Sequence, residues 1–143
     1  WVQVDDRWYY FEPSGAMVTG WLRSDGAWYY LSGSGAMVAG WLLDHGTWYH
    51  MDSRTGAMRA GWVQVDDRWY YFEPSGAMAT GWLNSGGSWY YMSANGAMST
   101  GWVDDRGAWY YMDSAGVMVT GTVSIDGRSS LFSSSGRWVG YAS

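Results

Sequence analysis

Apolar and aromatic residues recur along this chain in short runs broken by polar and glycine-rich segments. Trp21-Leu22-Arg23 reads as a short strand, Ser24-Asp25-Gly26 as a turn, and Trp28-Tyr29-Tyr30-Leu31 as the return strand of a hairpin. Ser32-Gly33-Ser34-Gly35 then turns the chain toward Ala36-Met37-Val38-Ala39-Gly40, an extended connector into the next unit. Strand side chains alternate between faces, so Trp28 and Tyr30 share one face while Tyr29 looks the other way. One two-stranded hairpin is marginal in water, so stability must come from stacking against neighbours.

The same pattern restarts at Trp1, Trp21, Trp41, Trp62, Trp82 and Trp102 and, degenerate, at Thr122, with spacings of 20, 20, 21, 20, 20 and 20 residues. A fixed period of this size marks an array whose neighbours share a continuous core. A second tryptophan follows the first by seven residues in each of the six good units: Trp8, Trp28, Trp48, Trp69, Trp89 and Trp109. The extra residue of the third unit lies between Met51 and Gly56, where Asp52-Ser53-Arg54-Thr55 replaces a three-residue connection, so that segment is a loop. Residues 1–22 and 62–83 are identical except that Val18 becomes Ala79, which fits duplication of a three-unit block, three hairpins per superhelical turn, or both. The expected class is all-β: six hairpin repeats over residues 1–121, then a degenerate terminal repeat or cap over 122–143. In the seventh register Thr122 and Ser129 replace the two tryptophans, Ser130-Leu131 the tyrosine pair, and Trp138 stands where methionine would be. That cap is not expected to complete an aromatic site for Trp102 and Trp109.

Composition changes this picture in one respect. Thirteen Trp and twelve Tyr stand beside three Phe, so the aromatic content is mostly in side chains with an apolar body and a polar tip, suited to surfaces as much as to cores. Twenty-one Gly and two Pro agree with regular turns and argue against long helices. The formal charge is −5 and all eight basic residues are Arg, a balance that disfavours nucleic acid or an anionic membrane as partner. Cysteine is absent, and no run of about 18 apolar residues could span a membrane. Trp1 falls in mid-motif, so the chain reads as a piece of a longer protein.

Packing explains any single ring as readily as binding does, yet the dominance of Trp and Tyr over Leu, Ile and Phe asks for more. Clustered indole and phenol faces form the cage that holds a quaternary ammonium, a group with no N–H to donate but with methyl groups carrying diffuse positive charge. Methionine sulfur, polarisable, suits the same task. Catalysis has weaker support: Asp5, Asp6 and Glu12, repeated as Asp66, Asp67 and Glu73, sit at turns or strand ends. His45 and His50 flank Trp48 without a further His or Cys to make a metal site. No cofactor or metal is expected.

The Gly20-Trp21-Leu22, Trp28-Tyr29-Tyr30-Leu31 and Gly35-Ala36-Met37 blocks, repeated in Gly81-Trp82-Leu83, Trp89-Tyr90-Tyr91-Met92 and Gly96-Ala97-Met98, closely resemble the choline-binding repeats of Gram-positive bacterial and phage cell-wall proteins. The resemblance covers residues 1–121. It implies a left-handed β-solenoid of about three hairpins per turn, binding choline or phosphocholine of teichoic acid between successive hairpins. It also implies an extracellular, wall-associated location, and a non-catalytic module whose parent can carry a lytic enzyme domain. Carried onto this sequence, the family's site groups Trp1, Trp8 and Met17 with Tyr29, and Trp21, Trp28 and Met37 with Tyr49. The next three groups are Trp41, Trp48 and Met58 with Tyr70; Trp62, Trp69 and Met78 with Tyr90; and Trp82, Trp89 and Met98 with Tyr110. The first tyrosine of each pair is chosen because alternation turns it backward when the tryptophans face forward. Glucan-binding repeats of glucosyltransferases and toxins use similar rings on sugars, which keeps polysaccharide open as a partner; a structural spacer and a homodimer through the terminal hairpin are further alternatives.

Overall fold

The computed structural model describes residues 1–142, and its secondary structure there is strand and turn without helix. Each Trp-to-Tyr block closes on itself as an antiparallel hairpin. β1 (Val2–Val4) pairs with β2 (Arg7–Tyr9), β3 (Gly20–Ser24) with β4 (Ala27–Leu31), and β5 (Gly40–Asp44) with β6 (Thr47–Met51). β7 (Gly61–Val65) pairs with β8 (Arg68–Phe72), β9 (Gly81–Ser85) with β10 (Ser88–Met92), and β11 (Gly101–Asp105) with β12 (Ala108–Met112). The last sheet has three strands, β13 (Gly121–Ile125), β14 (Arg128–Phe132) and β15 (Trp138–Tyr141).

Two-residue turns with both residues at positive φ join the strands, such as Asp25 at 50° and Gly26 at 82°. That geometry matches strand twist and favours Gly, Asn or Asp, as in Asp25-Gly26, Gly86-Gly87 and Asp66-Asp67, although His45-Gly46 and Arg106-Gly107 adopt it too. The register places Trp21 opposite Tyr30 and Arg23 opposite Trp28. Trp21, Trp28 and Tyr30 therefore present their rings on one face, and Tyr29 stands on the other. After each return strand a tight turn, closed in the second hairpin by Ser32 N–H to Ala36 O and Gly35 N–H to Ser32 O at 2.8 Å each, reverses the chain. Met37 then bridges back to Leu31, and the equivalent bridge recurs from Phe11 and Met17 to Met112 and Met118.

The core falls on residues that the aromatic pattern does not single out. The last residue of the return strand is completely buried in hairpin after hairpin: Leu31, Met51, Phe72, Met92 and Met112. Small or β-branched residues such as Ala36, Val63, Ala97 and Val103 are buried as well. The second tryptophan of each hairpin, by contrast, remains open: Trp28 is 40% exposed, Trp48 41% and Trp89 44%. Side chains that carry the burial are thus distinct from those that carry the exposed aromatic surface.

The chain forms two compact units, one of residues 1–63 with 72–78, the other of 64–71 with the segment from Ala79 onward. Within each unit the connector of one hairpin reaches back to the hairpin before it. Met37 N–H donates to Trp8 O and Met58 N–H to Trp28 O in the first unit, and Met98 N–H to Trp69 O and Met118 N–H to Trp89 O in the second, at 2.7–2.8 Å. Those bonds stack successive hairpins and set where the methionines lie.

Candidate functional site

The paired tryptophans of one hairpin form a corner. Trp21 and Trp28 lie 6.5 Å apart at 82°, Trp41 and Trp48 6.1 Å at 86°, and Trp102 and Trp109 6.3 Å at 84°. The second tyrosine backs the first indole of its own hairpin, as Tyr30 does Trp21 at 5.2 Å. The first tyrosine of the following hairpin supplies the third wall: Tyr29 stands 5.0 Å from Trp1, Tyr49 4.9 Å from Trp21 and Tyr110 4.7 Å from Trp82, at 66–70°. The alternation argument selected these same rings.

Hydrogen bonds to the next hairpin fix the first indole. Trp21 Nε1–H donates to Asp44 Oδ2 and Trp82 Nε1–H to Asp105 Oδ2, both at 2.9 Å, while Trp1 Nε1–H reaches Ser24 Oγ at 3.4 Å. The Trp21 bond, with a smaller contribution from His45, holds the Asp44 carboxyl below the usual carboxylate range.

Two cavities in the first unit have the same construction. Trp1, Trp8, Tyr29 and Met37 line one of about 340 Å³, together with Arg54 and Thr55. Trp21, Trp28, Tyr49 and Met58 line another of about 340 Å³, together with Pro74 and Ser75. Three successive hairpins meet at each: the first gives two indoles, the second a tyrosine and a methionine, the third its turn. The sequence grouped Met17 with Trp1 and Met37 with Trp21; in both cavities the lining methionine comes from one repeat later. The reason is the connector's path. It folds back along its own return strand and over the preceding hairpin, so the Met37 backbone reaches Trp8 and its thioether lies over Gly56. By the same backbone bonds Met78 lies at Trp48, Met98 at Trp69 and Met118 at Trp89, where the sequence had put Met58, Met78 and Met98. The groups that the sequence builds around Trp41 with Tyr70 and around Trp62 with Tyr90 take residues from both compact units and stand on the repeat alone.

The sequence left Trp102 and Trp109 without a partner ring. In the structure they line a cavity of about 310 Å³ with Trp138 and Tyr141. Both come from β15, which adds to the terminal hairpin as a third strand. Ser130, the residue in the tyrosine register, pairs with Tyr141 across the sheet, so the missing ring returns on the same face from the neighbouring strand. Trp138 lies 20 residues after Met118 and takes the wall that methionine supplies elsewhere, 6.3 Å from Trp102 at 89°. The signal was present in that register, but it becomes readable only once methionine is known to serve the preceding hairpin. Among the described residues no cluster of His, Cys, Asp or Glu could hold a metal.

Comparison with known proteins gives this arrangement its kin. The sequence profile of the choline-binding repeat matches residues 1–39 and 59–100, and that of the cell wall binding repeat matches 39–58 and 100–118. Choline-binding protein F of Streptococcus pneumoniae, solved with a peptidoglycan analogue, is 43% identical with a TM-score of 0.90, over 97% of this chain and 46% of that one. CbpJ of Streptococcus pneumoniae TIGR4 is 45% identical with a TM-score of 0.91, over 97% of this chain and 47% of that one. The pneumococcal cell wall endolysin from phage Cp-1, solved in complex with choline, is 33% identical with a TM-score of 0.59, over 85% of this chain and 37% of that one. The chain thus spans less than half the length of each. A comparison with curated protein sequences found no match. With the repeat profile over more than half of its residues and two solved relatives at 43–45% identity over 97% of it, this chain belongs to the choline-binding repeat family.

Proposed function

We propose that this chain anchors its parent protein to the bacterial cell wall by holding choline head groups of teichoic acid in the aromatic cages between successive hairpins. The observation that carries this reading is the recurrence of one chemistry in separate cavities: two indoles, a phenol from the next hairpin and a methionine thioether. None of these groups offers the paired donors and acceptors that a sugar ring needs, and all suit a methylated ammonium. Each aromatic face contributes roughly 0.5–2 kcal/mol, so three faces support binding near the millimolar range, where ΔG is about −4 kcal/mol. The residues proposed to carry binding are Trp1, Trp8, Tyr29 and Met37; Trp21, Trp28, Tyr49 and Met58; Trp82, Trp89 and Tyr110 with Met118; and Trp102, Trp109, Trp138 and Tyr141. The module works outside the cell and performs no chemistry itself, leaving any lytic activity to the rest of its parent.

Titration with choline, followed by tryptophan fluorescence and thermal denaturation, tests this. Choline at about 100 times its dissociation constant should stabilise the fold by about 2.7 kcal/mol per site. No response to choline together with retention on dextran would establish the sugar-binding alternative, and response to neither would leave a spacer.

A further inference from the structure

The two complete cages of the first unit differ in one element, the turn of the third hairpin that closes each. At the second cage that turn contributes Pro74 and Ser75. At the first it contributes Arg54 and Thr55, because the one-residue insertion lies there. Among the corresponding turns along the chain, only this one contains a basic residue.

The loop's hydrogen bonds explain why Arg54 is available. Asp52 Oδ1 accepts the backbone N–H groups of Arg54 at 2.8 Å and Thr55 at 3.0 Å, and Asp52 O accepts Gly56 N–H at 2.8 Å. These bonds hold the longer loop in one shape. The other Asp52 oxygen lies 4.0 Å from Arg59 Nη1. The carboxylate nearest in sequence is therefore engaged, and among the described residues no carboxylate pairs with the exposed Arg54 guanidinium. Thr55 Oγ1 accepts from Ala57 N–H at 3.2 Å, and its O–H is engaged with the Asp52 carboxylate, which leaves Arg54 as the free donor of the loop.

A guanidinium at the rim of an aromatic cage repels a bare cation and attracts an anion, and its planar fork matches phosphate oxygens. From this placement we propose that Arg54 makes the cage of Trp1, Trp8, Tyr29 and Met37 selective for a zwitterion, a quaternary ammonium with a phosphate a few bonds away, over a bare quaternary ammonium. The aromatic walls take the ammonium and Arg54 takes the phosphate. The second cage, with Pro74 and Ser75 in the same place, has no such preference. This proposal rests on the cage reading of the site.

Indole N–H resonances of the full chain, assigned through Trp8→Phe and Trp28→Phe, separate the two cages during titration with choline and with phosphocholine. The Trp8 resonance should respond to phosphocholine at about 3- to 10-fold lower concentration than to choline, the range of an exposed, charge-assisted contact, and the Trp28 resonance at similar concentrations of both. Arg54→Gln should bring the Trp8 ratio to that of Trp28, Arg54→Lys should retain part of the difference, and high salt should collapse it. Equal ratios at Trp8 and Trp28 in the unaltered chain, or a Trp8 ratio unmoved by Arg54→Gln, would overturn the proposal while leaving the cages intact. Absence of any indole response to choline would instead overturn the cage reading, and this inference with it.

Discussion

His50 stands where five other hairpins carry the second tyrosine, and the substitution converts a packing ring into a titratable one. Its ring lies 5.0 Å from Trp41 and 6.4 Å from Phe72, it is buried, and Nδ1 has no partner among the described residues. Burial pushes its pKa down, Arg59 adds to the shift, and Asp52 opposes it. The unfolded chain therefore takes up a proton at His50 near pH 6.5, where the folded chain does not, and stability present above that pH is lost as pH falls toward the lower folded value. Melting temperature should drop between about pH 7.5 and pH 5.5, with a slope no greater than about 1.4 kcal/mol per pH unit from this group, and His50→Tyr should remove that component. A second test concerns Gly56, whose φ is 79° and whose absent Cβ leaves room for the Met37 thioether. Gly15 has a similar φ of 92° with nothing nearby. Gly15→Ala should cost only the left-handed strain, about 1–2 kcal/mol, whereas Gly56→Ala should cost more and also weaken choline binding at Trp8 by displacing Met37. Denaturation of the two variants and the Trp8 titration compare these effects.

At the level of the hairpin, β15 does what the repeat itself cannot. It supplies Trp138 and Tyr141 to Trp102 and Trp109, and the Arg128 guanidinium covers Tyr141 at 3.4 Å from its ring centroid. Trp138→Ala should reduce the number of choline equivalents bound in a calorimetric titration by one and leave the other cages at their original affinity. Hairpins, turns and ring pairs were legible in the sequence because a 20-residue period fixes which residues correspond, and strand alternation fixes which way each ring looks. Tyr29 and Tyr49 were assigned on that basis. Two features were not legible. Met37 joins Trp8 through a backbone bond that runs backward across hairpins, whereas the site carried over from the family resemblance grouped it with Trp21. Ser130 looked like the end of the aromatic series because each ring was assumed to come from its own register on its own strand, whereas Tyr141 replaces it from the neighbouring strand. Nor did the aromatic pattern mark the buried column, since Leu31, Met51 and Phe72 follow the conspicuous Trp-Tyr runs and differ in chemistry from hairpin to hairpin.

For the whole chain, the proposed function makes repetition matter, because one cage of three aromatic faces would bind weakly. Several millimolar sites engaging one polymer would gain through effective concentration, by as much as about 10²- to 10⁴-fold. Loss of one cage, as in Trp82→Ala, should then lower retention on a choline-bearing polymer without abolishing it. The net charge of −5 adds a condition to any such measurement. An acidic protein adheres to a quaternary-amine resin by simple ion exchange, and that attraction is screened at high ionic strength, where the Debye length falls to about 3 Å at 1 M salt. A methylated ammonium held between indole faces is shielded from the salt that screens exposed pairs. Retention on the resin should therefore survive about 1 M NaCl, far beyond the screening that ends ion exchange, and end when choline replaces part of the sodium at constant ionic strength. Elution by NaCl alone would show that charge, and not the cages, holds the protein there.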